Sequence, residues 1–394
     1  MISFITARKI VSRHLPRPRT CRLELVKAEG SFLSRDIAAS ADAPAFDRAV
    51  MDGFAVRSRD TADAPVVLRV VGFIPAGKTF CRRVGAGESA RIATGAMMPP
   101  GADAVIKKED VQVLADGRLR VSRRVRKGED VYPRGRDYRK GAFLLRRATL
   151  LNPARIALLG SLGYDSVEVF ATPRVAFLTT GDEIIGPGRP PRPGQVYDAT
   201  RPMILSGLSR MGVLCEDLGH VRDSAALLDK KVRQGLEHDI LIVTGGVSAG
   251  ERDYVPGVLA KNGVTCLFHK VLIRPGKPLW FGCRRNQLVF GLPGNPVASL
   301  VTFMLFVKPA IEYLQGGCAF SFLRGILSKD VYNESERLSF LPARLCRRKK
   351  GIGIAPLVFH GSADMYHVAG ADCFFAARPY ARLKKGTCIS YFKI

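Results

Sequence analysis

From residue 173 to about 317 the chain alternates strand-like and helix-like segments, and no other feature limits its fold so strongly. Residues 174–180 are a short apolar strand, and 199–211 follow as a helix. Residues 213–221 read as the next strand, then 224–236 as a helix with apolar Ala226, Leu227, Val232 and Leu236. A buried strand at 239–244 precedes a helix at 255–262 that Gly263 stops. Strands at 264–273 and 287–292 complete the set. Asn295-Pro296 then caps a last helix through Leu314, interrupted near its end by Pro309. Such alternation predicts an α/β fold, a mainly parallel, doubly wound sheet. Ligands of such sheets lie outside the carboxyl ends of the strands.

The flanking regions have other textures. Residues 1 to about 172 mix short helices with turn-punctuated strands, and Pro44, Pro65, Pro75, Pro99, Pro100 and Pro133 break any long helix. Asp116-Gly117 is a hairpin turn between 111–114 and 119–121, and Asn152-Pro153 opens a helix over 154–162. Residues 318–394 return to short β-like runs between Gly and Pro, which predicts a small β-barrel or sandwich.

Charge raises a separate question, because 61 Lys and Arg against 35 Asp and Glu leave a net +26. Clustered cations release counterions from nucleic-acid phosphates. Here they are dispersed, and the densest runs, 118–126 and 344–350, lack interleaved stacking aromatics. A solvated basic surface that attracts anionic substrates is expected instead. The nine cysteines form no C-x-x-C pair, which argues against a disulfide framework or a cysteine zinc site and predicts mostly small core residues. The basic start lacks the uninterrupted apolar stretch of a signal peptide, and no apolar run approaches the roughly 18 residues of a membrane span. A cytoplasmic location follows as the expectation.

Each motif in the α/β block has a bland reading beside a functional one. Thr179-Thr180-Gly181-Asp182-Glu183 ends the first strand. Its glycine lets amides approach an anion and its acids suit a hard cation; the alternative reading is a strand-to-loop turn in which Asp182 bonds the backbone. Asp223 in "VRDS" is a candidate acid or a helix cap. Thr244-Gly245-Gly246-Val247-Ser248-Ala249-Gly250-Glu251-Arg252-Asp253 resembles a phosphate-cradling loop. It also spells the G-x-S-x-G of serine hydrolases. An elbow runs straight into a helix, whereas Gly250 and Pro256 postpone this one to Tyr254 or Val255. His269, His360 and His367 are the histidines available as a base, and none has a recognisable context. Lys270, Arg274 and Lys277 in "HKVLIRPGKP" suit an oxyanion or form a solvated edge. Gly291-Leu292-Pro293-Gly294-Asn295-Pro296 leads to a helix start whose free amides face an anion, or is a rigid turn. In the first half, Asp47, Asp52 and Thr94 gain no role from periodicity, and Asp137 stands between cations as in a surface ion pair.

Together the segments "MDGFAV", "IATGAMMPPGADAV", "PRGRDYRKG", "LLGSLGYDSVEV", "TTGDEI", "VTGGVSAGERDY", "RPGKP" and "GLPGNPVAS" resemble, in order, the molybdopterin molybdenumtransferases of the MoeA and gephyrin E-domain type. The resemblance implies a four-part protomer: 1–42 with 140–172 as an elongated linker domain, 43–139 as a β-rich domain serving the partner's site, 173–317 as an adenylyltransferase-like catalytic domain, and 318–394 as a C-terminal β-barrel. It implies a homodimer and a reaction of adenylylated molybdopterin with molybdate, releasing AMP and using a divalent metal, Mg²⁺ by default. Glu183, Asp223 and Asp253 match the family's acids and would hold that metal, with Asp52, Thr94 and Asp137 contributed from the β-rich half. Gly245, Gly246, Ser248, Lys270, Arg274, Lys277, Pro293 and Pro296 would bind or shape substrate.

A molybdopterin adenylyltransferase and molybdoenzyme acceptors are the implied partners, with no specific nucleic acid and no membrane. Several positions depart from the pattern. Arg48-Ala49 replaces an Asn-Ser pair, and Arg274 replaces a lysine common in bacterial members. Pro342 stands where many members carry an arginine, with Arg344 nearby, and Cys373 replaces a frequent glycine. The alternatives are an adenylyltransferase-like enzyme, a nucleic-acid-binding module and a serine hydrolase.

Overall fold

A computed structural model describes residues 1–188, 190–247, 253–317, 321–348 and 351–394, in two compact units. The larger unit comprises Met1–Ser34, Ala148–Ala157 and Tyr164–Ile394; the smaller comprises Arg35–Arg147 and Leu158–Gly163.

The larger unit is built on a six-stranded sheet: β1 Val175–Thr180, β2 Cys215–Val221, β3 Ile240–Thr244, β4 Thr265–His269, β5 Trp280–Arg284 and β6 Gln287–Leu292. Their order is β2-β1-β3-β6-β5-β4, with β2, β1, β3 and β6 mutually parallel and β5 antiparallel to both neighbours. The central strands are buried on both faces, which explains their unbroken apolar sequences. Alternation divides them between two cores. Val175, Phe177, Ile240 and Ile242 join one, while Ala176, Leu178, Leu241 and Val243 join the other. Helices α1 Thr200–Arg210, α2 Ala225–Gly235 and α3 Val255–Lys261 connect the parallel strands. The doubly wound, mainly parallel sheet is as predicted.

Two details differ. The segment at 264–273 is two elements, because Lys270 adopts a left-handed backbone (φ 74°) after β4, and Ile273–Arg274 then pairs elsewhere. Strand β5 was not foreseen: it reaches β6 through a turn at Arg285, which has φ 53° without the usual Asn-Gly signature.

The last helical rod does not break at Pro309. It runs as Pro296–Thr302, a wider π turn at Phe303–Val307, then Lys308–Leu314. A π turn rearranges the hydrogen-bond ladder just where proline supplies no N–H. Contrary to the sequence expectation, these 19 residues are long and apolar enough to cross a membrane; 72% of the apolar stretch is buried inside the fold. Phe303, Leu305, Phe306 and Val307 all join the first core, the mark of a core helix.

Strands β7 Leu323–Leu327, β8 Leu338–Arg347, β9 Ile352–Pro356, β10 Cys373–Ala377 and β11 Cys388–Lys393 close a five-stranded barrel in the order β8-β9-β7-β11-β10-β8. Its interior holds Leu327, Ala343, Ile354, Phe375 and Ile389. Ile273–Arg274 adds to β8, tying the barrel to the α/β block. Phe4, on the N-terminal helix Phe4–Arg13, completes that junction with ring centroids 5.8 Å from Phe306 and 5.5 Å from Phe340.

The smaller unit holds a second six-stranded sheet, ordered Ala104–Lys107, Gly53–Val56, Glu88–Ile92, Val66–Ile74, Leu119–Val121 and Val111–Val113. Gly53 lies so close to its neighbour that a Cβ there would sit 1.9 Å from the Ile106 carbonyl oxygen.

The cysteines correct the sequence reading. Among the described residues eight are free, and only Cys373 is fully buried; Cys81, Cys266 and Cys388 are exposed. Burial raises the Cys215 and Cys373 thiols to about 12, so both stay protonated and inert as nucleophiles near neutrality.

Candidate active site

Strands β1, β3 and β6 end in register, Thr179 opposite Thr244 and Thr244 opposite Leu292. Their loops therefore emerge together. The strand order reverses between β1 and β3, which opens a crevice at their carboxyl ends. There Thr180 donates its hydroxyl to Asp223 at 2.8 Å, while Asp182 accepts from the Asp223 amide at 3.2 Å. Ser224 occupies the N-cap of α2 without a side-chain cap bond, so Asp223 turns toward the strand end rather than capping the helix. Glu183 is exposed beside them, and its carbonyl accepts from Val196. The buried Thr244 hydroxyl has no partner among the described residues.

The Thr244-Gly245-Gly246 loop packs against this cluster. A Cβ on Gly245 would meet the Thr180 carbonyl oxygen at 2.2 Å, and its φ of +85° is left-handed. Gly245→Ala should therefore destabilise the fold by about 2–4 kcal/mol, clash and backbone strain together. Urea unfolding checks this; an unchanged midpoint would show that the loop relaxes freely. Gly294 approaches Gly245 from the other side. Ser248 lies outside the described residues. Asp253 is half-buried just before α3, which begins at Val255 with Pro256 in its first turn. The delayed helix is inconsistent with a nucleophile elbow at Ser248.

A second region adjoins β6. A cavity of about 690 Å³ is lined by Arg274, Lys277, Pro293, Asn295, Arg337 and Ser362, among others. Among the described residues no carboxylate forms an ion pair with Arg274, Lys277 or Arg337. Asn295 does not cap its helix through its side chain, as the sequence suggested. Its amide donates instead to the Ser362 hydroxyl at 2.9 Å, joining the helix start to the barrel. Pro296 holds the first helical position. Lys270 does not line this cavity.

Arg337 was missed in the sequence. It sits four residues after Asn333, whose amide ties 337, 377 and 378 together, and its buried Nε has no partner among the described residues. Arg344, near Pro342 in the chain, donates to the Gly370 carbonyl at 2.8 Å and does not line the cavity. Pro342 is a barrel residue opposite Phe374.

In the smaller unit, Asp52 and Thr94 flank the paired ends of adjacent strands, with Gly53 opposite Ile92. The Thr94 amide and hydroxyl both donate to one Asp52 oxygen at 2.7 Å. These bonds hold the Asp52 carboxyl below the ordinary range. Their stabilisation is complete above the ordinary value near 3.8 and is lost as pH falls through the lowered folded value. Thr94→Val removes the hydroxyl donor and keeps the amide, so it should raise the Asp52 pKa part of the way toward ordinary, shifting its carboxyl carbon titration upward by NMR; an unmoved titration would remove the Thr94 hydroxyl as a cause.

Asp137 is no surface ion pair: it accepts from the Tyr132 hydroxyl, which pushes that phenol's pKa up. Arg48 and Arg136 cover the Tyr132 ring at 5.0 and 4.7 Å. In the dense run at 118–126, Arg118 and Arg123 pair with Asp116, Asp110 and Glu129, as a solvated surface does.

Residues 2–163 match the MoeA N-terminal region (domain I and II), and residues 176–313 match a probable molybdopterin binding domain. The molybdopterin molybdenumtransferase of Haemophilus influenzae is 37% identical over 80% of this chain and 78% of its own. The chain belongs to the molybdopterin molybdenumtransferase family. The Bacillus subtilis molybdopterin molybdenumtransferase is 34% identical over 87% of this chain and 82% of its own. The solved molybdopterin biosynthesis MoeA protein of Pyrococcus horikosii covers 100% of this chain and 99% of its own, with 30% identity and a TM-score of 0.87. As a molybdopterin molybdenumtransferase family member the chain is an enzyme, and its MoeA-like fold includes the closed barrel.

Proposed function

We propose that this enzyme acts in molybdenum cofactor biosynthesis, inserting molybdenum from molybdate into adenylylated molybdopterin with release of AMP. The carrying observation is the cavity beside β6, where Arg274, Lys277 and Arg337 gather without a carboxylate ion-pair partner among the described residues. Three such cations in one concavity favour an oxyanion or phosphate, and Arg offers a planar fork of donors to it.

The acids at the β1–β3 crevice provide the other half of the chemistry. Asp182, Glu183, Asp223 and Asp253 offer only oxygen donors, a set that fits a hard ion such as Mg²⁺. Glu183, Asp223 and Asp253 would hold it, and when bound it would polarise the phosphate group. Thr180 fixes the rotamer of Asp223 through its hydroxyl, and Asp182 fixes the Asp223 backbone. Gly245 and Gly246 let the loop approach the substrate without side chains in the way, and Pro293 and Pro296 stiffen the opposite wall. Lys270 and Ser248 are assigned to substrate binding by resemblance.

The same reading includes an adenylyltransferase-like α/β block, the four-part division at 1–42 with 140–172, 43–139, 173–317 and 318–394, a homodimer, and a cytoplasmic location. Pairing of Thr20–Glu24 with Ser166–Phe170, and of Ile37–Ala38 with Phe143–Leu145, supports the joining of the first and last parts of the linker. A homodimer would place Asp52, Thr94 and Asp137 in the partner's site. An upstream adenylyltransferase and downstream molybdoenzymes are the corresponding partners.

The test is incubation with adenylylated molybdopterin, molybdate and Mg²⁺. AMP should appear only when all three are present and be matched by metal-loaded cofactor. AMP formed without molybdate uptake would indicate plain hydrolysis and overturn the assignment.

A further inference from the structure

His360 and Asp364 line the oxyanion cavity, and His367 lies in the short helix Met365–Val368 that Asp364 caps. One potential ligand atom from each comes within 4.8 Å of the other two. We propose that these three side chains form a binding site for a divalent transition-metal ion of the Zn²⁺ type, separate from the all-oxygen acids of the β1–β3 crevice.

The donor set decides the class of ion. Two imidazoles and one carboxylate suit Zn²⁺, Co²⁺ or Ni²⁺, whereas Mg²⁺ prefers oxygen alone. Three protein ligands leave a fourth position for water or an anion.

The geometry is mostly prepared. The His367 Nδ1 lies 2.9 Å from both carboxylate oxygens of Asp364, a hydrogen-bonded pair whose shared proton an arriving metal ion would displace. Ligand atoms about 2.0–2.2 Å from a shared ion lie roughly 3.4 Å apart in a tetrahedron, and the three atoms here lie within 4.8 Å of one another, so a small inward turn of the His360 ring completes the set. That ring is exposed and belongs to a loop, and its centroid is 5.1 Å from that of His367. The carboxylate is held independently: Asp364 accepts from the backbone amides of His360 at 2.8 Å and His367 at 3.3 Å. Such outer bonds orient a ligating carboxylate.

A helix cap alone would explain Asp364, since its side chain accepts from the His367 amide. It would not explain the His360 ring, whose ligand atom lies within 4.8 Å of both the Asp364 carboxylate and the His367 ring nitrogen. Arg274, Lys277 and Arg337 share the cavity and oppose a second positive charge. The Asp364 carboxylate offsets part of this, and an anion in the fourth position would offset more.

Cobalt titration of the tag-free full chain tests the site. One Co²⁺ per chain should bind with visible d–d absorption typical of four coordination and no thiolate charge-transfer band. Zn²⁺ should displace it, and excess Mg²⁺ should not. His360→Ala should weaken uptake at least about tenfold, and His360→Ala with His367→Gln should abolish it, with thermal unfolding confirming the fold. His360 takes no part in the cap through its side chain, so that variant decides the question even if the double variant unfolds. Absence of stoichiometric uptake by the unaltered chain, a thiolate signature, or an unchanged spectrum in His360→Ala would overturn the proposal. None of these readouts depends on turnover, so failure here leaves the proposed transferase activity untouched.

Discussion

Replacing Glu183 by Ala, or Asp253 by Asn, should reduce AMP release by about 100-fold or more while leaving the fold intact. Glu183 is exposed where β1 ends, and none of its carboxylate oxygens has a hydrogen-bond partner among the described residues. Its removal therefore costs little packing. What it loses is charge at a crevice where sheets of this kind bind ligands. Losing one group that stabilises developing charge typically costs roughly 10²–10³ in rate. Asp253→Asn keeps the shape of the half-buried side chain and removes only the charge, which separates metal binding from packing. If these residues act through Mg²⁺, the apparent Mg²⁺ requirement should rise before turnover disappears. Full turnover in both variants, at the Mg²⁺ demand of the unaltered chain, would remove the crevice from the mechanism.

The elements that were legible in the sequence share one property: their signal is local. Strand β1 is apolar from Val175 to Leu178 because both faces are covered, and Gly263 and Pro256 mark helix ends through their own backbone limits. The hairpin at Asp116-Gly117 joins the strands Val111–Val113 and Leu119–Val121 as its turn chemistry predicts.

What escaped depends on distant partners. Arg337 enters the cavity because Asn333, buried and bonded to the 377–378 backbone, folds its loop that way. No periodicity marks it. The rod through Pro309 survives because the surrounding core supports a π turn, a tertiary override of a local breaker. Asn295 abandons the cap expected of it for Ser362, which is 67 positions away in the chain. The acids show the same division. Their place at strand ends was readable from alternation, whereas the Thr180–Asp223 bond required the register of β1 with β2.

Activity should reappear when two inactive variants are mixed, if the proposed homodimer draws each site from both protomers. Asp52 belongs to the smaller compact unit and Glu183 to the larger. Under the proposal, the Asp52 of one protomer serves the site that contains the Glu183 of its partner. Asp52→Ala and Glu183→Ala homodimers are then both inactive, since each carries its defect in both sites. In a mixed dimer, both defects fall in one site and the other is whole. A two-fold dimer has two equivalent sites, so random reassortment of equal amounts makes about half the dimers mixed and restores about a quarter of the sites. Co-refolding the two variants and measuring AMP release, with dimers confirmed by sedimentation, reads this fraction directly. Any activity that Thr94→Val loses should likewise be restored by mixing with Glu183→Ala, because the Thr94 hydroxyl donates to the Asp52 carboxylate. Mixed dimers that form without recovering activity would place Asp52 and Glu183 in the same protomer's site and refute the shared arrangement.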